Sequence, residues 1–166
     1  MGIRAGAVMT DKVIRIGWNA PLAGAFELMQ QHRLRHLPVL DDDGDVIGIL
    51  SDRDLQRAMR SELEWNATLG AKIPSFESVQ FDPDAKVRHY MSWPVKTVGA
   101  KSDLREVAGM MVVDKISSVL ICDGDRTMGI LTTEDLLKVL MGLLDKPQLH
   151  KRMVAQDVLR APEVIQ

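Results

Sequence analysis

The stretch Gly48-Ile49-Leu50-Ser51-Asp52-Arg53-Asp54-Leu55 returns later in the same chain as Gly129-Ile130-Leu131-Thr132-Thr133-Glu134-Asp135-Leu136. Each copy runs glycine, two apolar residues, a hydroxyl residue and, three positions on, an aspartate. Working outward, Met9, Gly17, Leu22, Met29 and Asp41 recur as Met91, Gly99, Leu104, Met111 and Asp123, each 82 positions later; beyond Asp123 the offset drops to 81. The lost residue falls where Asp41-Asp42-Asp43-Gly44-Asp45 is matched by Asp123-Gly124-Asp125, a turn, where chain length varies most freely. An internal repeat of this extent predicts two half-domains of one design, each with its own version of any site.

Each copy reads as strand, helix, hairpin, helix, an α/β (α+β) architecture of β-α-β-β-α order. In the first copy Val13 to Ile16 is the expected strand. Asn19 and Pro21 then open a helix that places Leu22, Ala25, Phe26 and Met29 on one face. In the second copy Val95 to Val98 is the strand, Ser102-Asp103 starts the helix, and Leu104, Val107, Ala108 and Met111 make the stripe. These stripes read as core. Leu37 to Leu40 with Val46 to Leu50, and Val119 to Ile121 with Met128 to Leu131, flank aspartate-glycine turns and read as hairpins. A helix follows each, Leu55 to Met59 and Leu136 to Leu144. The acidic turns lack the alternating ligands and distal glutamate of a calcium loop, so they read as solvated turns and no metal is expected. Between the copies, 61–87 carries Trp65, Pro74, Phe76, Phe81 and Pro83 and reads as a structured connector, longer than a usual loop. The tail, 145–166, is basic and then apolar; Met153, Val154, Val158 and Leu159 share a helical face suited to docking on the body or on a partner.

At 166 residues, 46% apolar and with a net charge of −2, the chain has the composition of an ordinary soluble domain with length enough for a core. Its charge favours neither a nucleic acid nor a membrane partner. No apolar run approaches the ~20 residues of a membrane helix, and Met1-Gly2-Ile3-Arg4-Ala5 does not open a signal peptide, so a cytoplasmic protein is expected. Cys122, the single cysteine, closes an apolar run and reads as a buried, inert thiol. There is no Walker loop, no GxGxxG and no nucleophile elbow, and His32, His36, His89 and His150 lack ligand spacing, so catalysis is not expected.

Ser51-x-x-Asp54 and Thr132-x-x-Asp135 fit the capping box, in which a hydroxyl and an acid satisfy free helix amides. That alone explains both residue types. It does not explain why the hydroxyl follows a glycine and two apolar strand residues both times. A helix N-terminus at the carboxyl end of a buried strand is a ready anion site, and an adjacent carboxylate is suited to gripping a ribose diol.

The signature in both copies, together with Leu34-Arg35-His36-Leu37-Pro38-Val39 before the hairpin and Met9-Thr10 at the start, resembles the cystathionine-β-synthase (CBS) domain family, and specifically a stand-alone tandem pair. The resemblance covers 7–60 and 88–144. It implies two repeats packed sheet to sheet about a pseudo-twofold axis, with two clefts able to hold AMP, ADP, ATP, S-adenosylmethionine or NAD. It further implies that each cleft is crossed. One would combine Thr132 and Asp135 with Thr10, Val13, Arg35, His36, Leu37 and Pro38. The other would combine Ser51, Arg53 and Asp54 with Ser92, Val95, Ser117, Ser118 and Val119.

In that arrangement Asp135 and Asp54 accept from ribose hydroxyls, while Thr132 and Ser51 with the helix amides bind the first phosphate. Arg35-His36 would supply cationic donors to the Asp135 cleft, where the matching Ser117-Ser118 offers only hydroxyls to the other, so phosphates are expected to prefer the Asp135 cleft. Glu134, in place of Arg53, partly cancels that charge, and Arg35 and His36 also fit a solvated strand edge. Pro38, without an amide hydrogen, marks an interruption in strand pairing. Pro94, in place of Lys12, is expected to reshape the mouth of the Asp54 cleft. The family implies a regulatory adenine-nucleotide sensor, a homodimer of pairs that acts on a partner protein. One pair alone is expected to leave faces such as Leu104, Val107 and Met111 only partly covered. The alternative is a scaffold whose motifs are helix caps and whose clefts take no ligand.

Overall fold

Both acidic turns do fold back as hairpins, and the helices start where proline and acid residues stop the preceding extended chain. The structure, a computed structural model, describes residues 2–59, 81–82, 84–124 and 126–144. In chain order these form a 3-10 turn (Ala5–Ala7), β1 (Ile16–Gly17), α1 (Leu22–His32), β2 (His36–Leu40) and β3 (Val46–Ser51). A helix over 52–59, α2, follows. The second copy repeats the order: a 3-10 turn (Val87–His89), β4 (Thr97–Gly99), α3 (Leu104–Val113), β5 (Ser118–Asp123), β6 (Arg126–Thr132) and α4 (Thr133–Leu144). Each half is a three-stranded sheet, β1-β2-β3 or β4-β5-β6, whose outer pairs are parallel and antiparallel respectively. The α+β class and the repeat are therefore as expected. Most of 61–87, with Trp65, Pro74, Phe76 and Pro83, lies outside the described residues, as do Asp125, His150 and the whole of 145–166. Phe81 is described and packs on Phe26 of α1, ring centroids 5.7 Å apart.

Pro21 caps α1 in extended conformation, and Arg33 ends it in the left-handed region at φ 54°. At α3 the carboxylate of Asp103 accepts from the Arg105 amide, the usual N-cap bond. Leu22, Ala25 and Met29 pack against Leu37, Val39 and Leu50 in one half. Leu104, Val107 and Met111 pack against Val119, Ile121 and Leu131 in the other. These stripes are core, but the expectation that Leu104, Val107 and Met111 stay partly uncovered is corrected. They are 8%, 2% and 2% exposed, sealed by their own sheet. The central strands are buried on their other face as well, where Pro38 and Leu120 lie. That is the mark of a sheet covered on both sides.

The first strand of each half is shorter and later than the periodicity suggests, and the two differ for a definable reason. In the second half the Leu120 amide donates to the Lys96 carbonyl at 3.0 Å, which extends pairing back to Thr97. Pro38 occupies the matching place in β2 and has no amide to donate. Pairing in the first half therefore begins only at Ile16↔Val39.

The opening segments of the two halves are exchanged. Residues before β1 cross to the second half: the Ala5 amide donates to Ser102, Gly6 to Ala100, and Thr10 bonds Ile130 in both directions. The segment before β4 crosses back in the same way, with Val87 donating to Ala20, Arg88 to Trp18, and Ser92 bonding Ile49 in both directions. Each bond has its counterpart under the repeat offset, so the two halves are related by a pseudo-twofold axis.

Candidate functional site

The crossing explains the glycine of the signature. A Cβ on Gly129 would lie 2.6 Å from the Thr10 carbonyl oxygen and 2.9 Å from the Met9 sulfur; one on Gly48 would lie 2.9 Å from the Met91 sulfur and 3.0 Å from the Ser92 carbonyl oxygen. Only a residue without a side chain lets the opposite half's opening segment lie this close. The glycine thus brings Thr10 and Ser92 beside the hydroxyl residue three positions on.

At both junctions the capping box is formed. The Ser51 amide and hydroxyl donate to Asp54 Oδ2 at 2.7 and 2.6 Å, and the Asp54 amide points back at Ser51 Oγ at 3.4 Å. Thr132 and Asp135 repeat this at 2.9, 2.8 and 3.4 Å. Both carboxylates are buried, Asp54 4% and Asp135 7% exposed. One oxygen of each is spent on the cap, and the second oxygens differ. Asp54 Oδ1 is bound by Arg57, one helical turn on. Among the described residues Asp135 Oδ1 has only the Lys138 ammonium at 3.8 Å, and that ammonium sits at 3.0 Å from Glu134. The hydrogen bond to Glu134 raises the Lys138 pKa above the ordinary lysine range.

Two clefts open at these junctions, and both are built across the halves. A cleft of about 350 Å³ joins Thr132 and Asp135 to Thr10, Arg35 and His36. One of about 630 Å³ joins Ser51, Arg53 and Asp54 to Ser92, Val95, Ser117 and Ser118, with Pro94 on its wall. Leu37, Pro38 and Val119 are fully buried in the central strands, and they and half-buried Val13 lie outside both linings. His36, Ser117 and Arg53 border both clefts. His36 Nε2 and Ser117 Oγ hydrogen-bond at 2.8 Å across the pseudo-twofold axis, so this pair is a shared partition.

The charge distribution departs from the expected one. Burial, only partly offset by nearby Asp52, holds the His36 pKa below the ordinary histidine value, which works against a cationic role for this ring. Arg35 is taken up by Asp52, with Nε 2.8 Å from the carboxylate. Glu134 occupies the first turn of α4. The Asp54 cleft instead gathers Arg53, Arg57, Lys96 and Lys115 around one carboxylate, so among the described residues it is the more cationic of the two. Lys96 and Lys115 were not legible as site residues, because they flank α3 far along the chain from Asp54. Arg57 carried a signal, its spacing of three from Asp54 on a helix. Cys122 is half-buried within β5, with Thr127 Oγ1 at 3.8 Å. Among the described residues no group of three or more His, Cys, Asp or Glu is placed to hold a metal ion.

A tandem of β-α-β-β-α repeats with exchanged opening segments and two crossed clefts defines a distinct class of module. The CBS domain matches residues 5–61 and 87–142, most of the chain, and the chain belongs to that family. It is 26% identical over 139 residues to uncharacterized protein MJ1404 of Methanocaldococcus jannaschii, covering 82% of this chain but 31% of that protein, so it spans about a third of that relative's length. Among solved structures it is similar to the CBS domain pair of protein MJ0100 in complex with 5′-methylthioadenosine and S-adenosyl-L-methionine. There the TM-score is 0.69 at 21% identity, over 86% of this chain and 98% of that one. It is also similar to CBSX2 in complex with AMP, with a TM-score of 0.65 at 21% identity over 86% and 98% of the two chains. At that identity the likeness establishes the fold.

Proposed function

We propose that this CBS pair is a regulatory module that binds an adenosine ligand (AMP, ADP or ATP, with S-adenosylmethionine or NAD as further candidates) and responds by changing its dimer or partner state. The observation that carries this is the geometry of the clefts: each sets a buried carboxylate and a helix N-terminus against the opening segment of the other half. The positive end of the helix dipole suits a phosphate, and a carboxylate suits a ribose diol. The complexes of MJ0100 and CBSX2 with adenosine ligands support the same reading. Asp54 and Asp135 are assigned to the ribose, and Ser51 and Thr132 with the helix amides to phosphate. The repeats are taken as 7–60 and 88–144, joined by a connector and followed by a tail.

No described helix is long and apolar enough to cross a membrane. The output is assigned, as part of the same proposal, to protein contact in the cytoplasm. The surface proposed for a second copy is the outer face of α4, where Leu137, Leu140 and Met141 are 58%, 44% and 65% exposed. Beside it runs an apolar groove lined by Ile3, Leu136, Val139, Leu140 and Leu143. Thermal-shift measurements with AMP, ADP, ATP, S-adenosylmethionine and NAD test the ligand. A ligand at 100 times its Kd adds about 2.7 kcal/mol. Flat curves for all five favour the second reading, a ligand-free scaffold, for which the closed capping boxes are the supporting observation.

A further inference from the structure

We propose that the two clefts divide adenosine ligands by phosphate charge. The Asp54 cleft takes a di- or triphosphate, and the Asp135 cleft takes an adenosine ligand with no more than one phosphate. This rests on the reading that the clefts bind adenosine ligands at all. It reverses the preference that the sequence alone suggests.

Charge is the first support. Arg53, in the first turn of α2, borders both clefts, whereas the matching Glu134 of α4 lines the Asp135 cleft alone, so a phosphate approaching α4 meets an added carboxylate that one approaching α2 does not. Among the described residues Arg53 and Lys115 have no acid partner, and Lys96 is tied at 3.0 Å to Asp114, which does not line the cleft. The other cleft also has Arg33 and Arg53 on its wall, but three carboxylates, Asp52, Glu134 and Asp135, line it as well, with Arg35 held by Asp52 and Lys138 by Glu134, against the single carboxylate of the Asp54 cleft. Every added phosphate charge widens the difference between the sites.

Room and the ribose carboxylate give the second and third supports. The Asp54 cleft holds about 630 Å³ against about 350 Å³; small-molecule sites span roughly 300–1,000 Å³, and the smaller cleft lies at the lower end. Among the described residues Asp135 Oδ1 has only the Lys138 ammonium beside it, at 3.8 Å, which leaves it open to a ribose hydroxyl. Asp54 Oδ1 is held by Arg57, a cation that a ribose must share and a phosphate chain can recruit. The small cleft is built for the nucleoside, and the large one for the charge attached to it.

The test is calorimetric titration of the full chain with adenosine, AMP, ADP and ATP, in wild type, Lys115→Gln and Glu134→Gln. Glutamine at 115 removes the charge while keeping an unbranched polar side chain, one atom shorter, at a position of left-handed backbone. Melting temperatures check that both variants are folded. In wild type ATP should occupy one site per chain and adenosine the other. Lys115→Gln should weaken binding in proportion to phosphate number, about fivefold for ATP and progressively less down the series. Glu134→Gln should admit ATP to a second site. A Lys115→Gln loss of the same size for adenosine as for ATP, or ATP still confined to one site in Glu134→Gln, overturns the division while leaving adenosine binding standing. No heat from any of the four probes overturns the division, and together with flat thermal-shift curves for S-adenosylmethionine and NAD it overturns the functional reading beneath it as well.

Discussion

Gly129→Ala is the sharpest probe of the crossed architecture. The added methyl lies 2.6 Å from the Thr10 carbonyl oxygen and 2.9 Å from the Met9 sulfur. The thioether can rotate away, but the carbonyl cannot, because it accepts the Ile130 amide at 3.0 Å while the Thr10 amide donates to the Ile130 carbonyl at 2.9 Å. Relief of the clash must push the opening segment off β6. Overpacking costs about 1–3 kcal/mol, and weakening the one bond to that carbonyl about 0.5–1.5 kcal/mol more, for an expected total of about 2–4 kcal/mol. For a domain of this size that lowers Tm by roughly 5–15 °C. Two further glycines calibrate the result. Gly48→Ala meets its nearest backbone atom only at 3.0 Å and should cost less, whereas Gly17→Ala meets nothing within 4 Å and should change stability by no more than about 0.5 kcal/mol. Urea unfolding of the three variants decides it. If Gly129→Ala is no more destabilising than Gly17→Ala, the explanation of the signature glycine is wrong.

His36 makes the partition between the clefts pH-sensitive. Burial lowers its pKa in the folded chain, so as the pH falls through the ordinary histidine range the unfolded chain takes up the proton first and stability declines. His36→Gln should flatten that acid-side slope, by at most about 1.4 kcal/mol per pH unit, in urea titrations at pH 7.5 and 5.5; an unaltered slope would clear His36 of the effect. Asp135→Ala should weaken adenosine binding by about 1.5–3 kcal/mol, the worth of a hydrogen bond to a charged group, and cost a further ~1 kcal/mol of stability through the lost cap. Calorimetry showing full affinity in that variant removes Asp135 from the ribose site. Leu140→Lys, on the exposed face of α4, should convert a dimer to a monomer in light scattering at micromolar concentration. A wild-type chain already monomeric there refutes the proposed interface.

Much of this molecule is written locally. The repeat, its β-α-β-β-α order and the capping boxes all depend on residues within a few positions of one another, where spacing maps directly onto geometry. Hydroxyl-x-x-acid forms the same reciprocal bonds in both halves because a helix N-terminus admits little else. Tertiary structure decided the rest. Only the packed halves show that the glycine makes room for the opposite half's opening segment, and that Pro38 costs β1 a residue which Leu120 secures for β4. The balance between the clefts is also tertiary, since Lys96 and Lys115 reach Asp54 from the far half and Asp52 claims Arg35. A cleft's charge sums over side chains brought together by folding, and burial there lowers the pKa of His36. No run of neighbouring residues contains that sum.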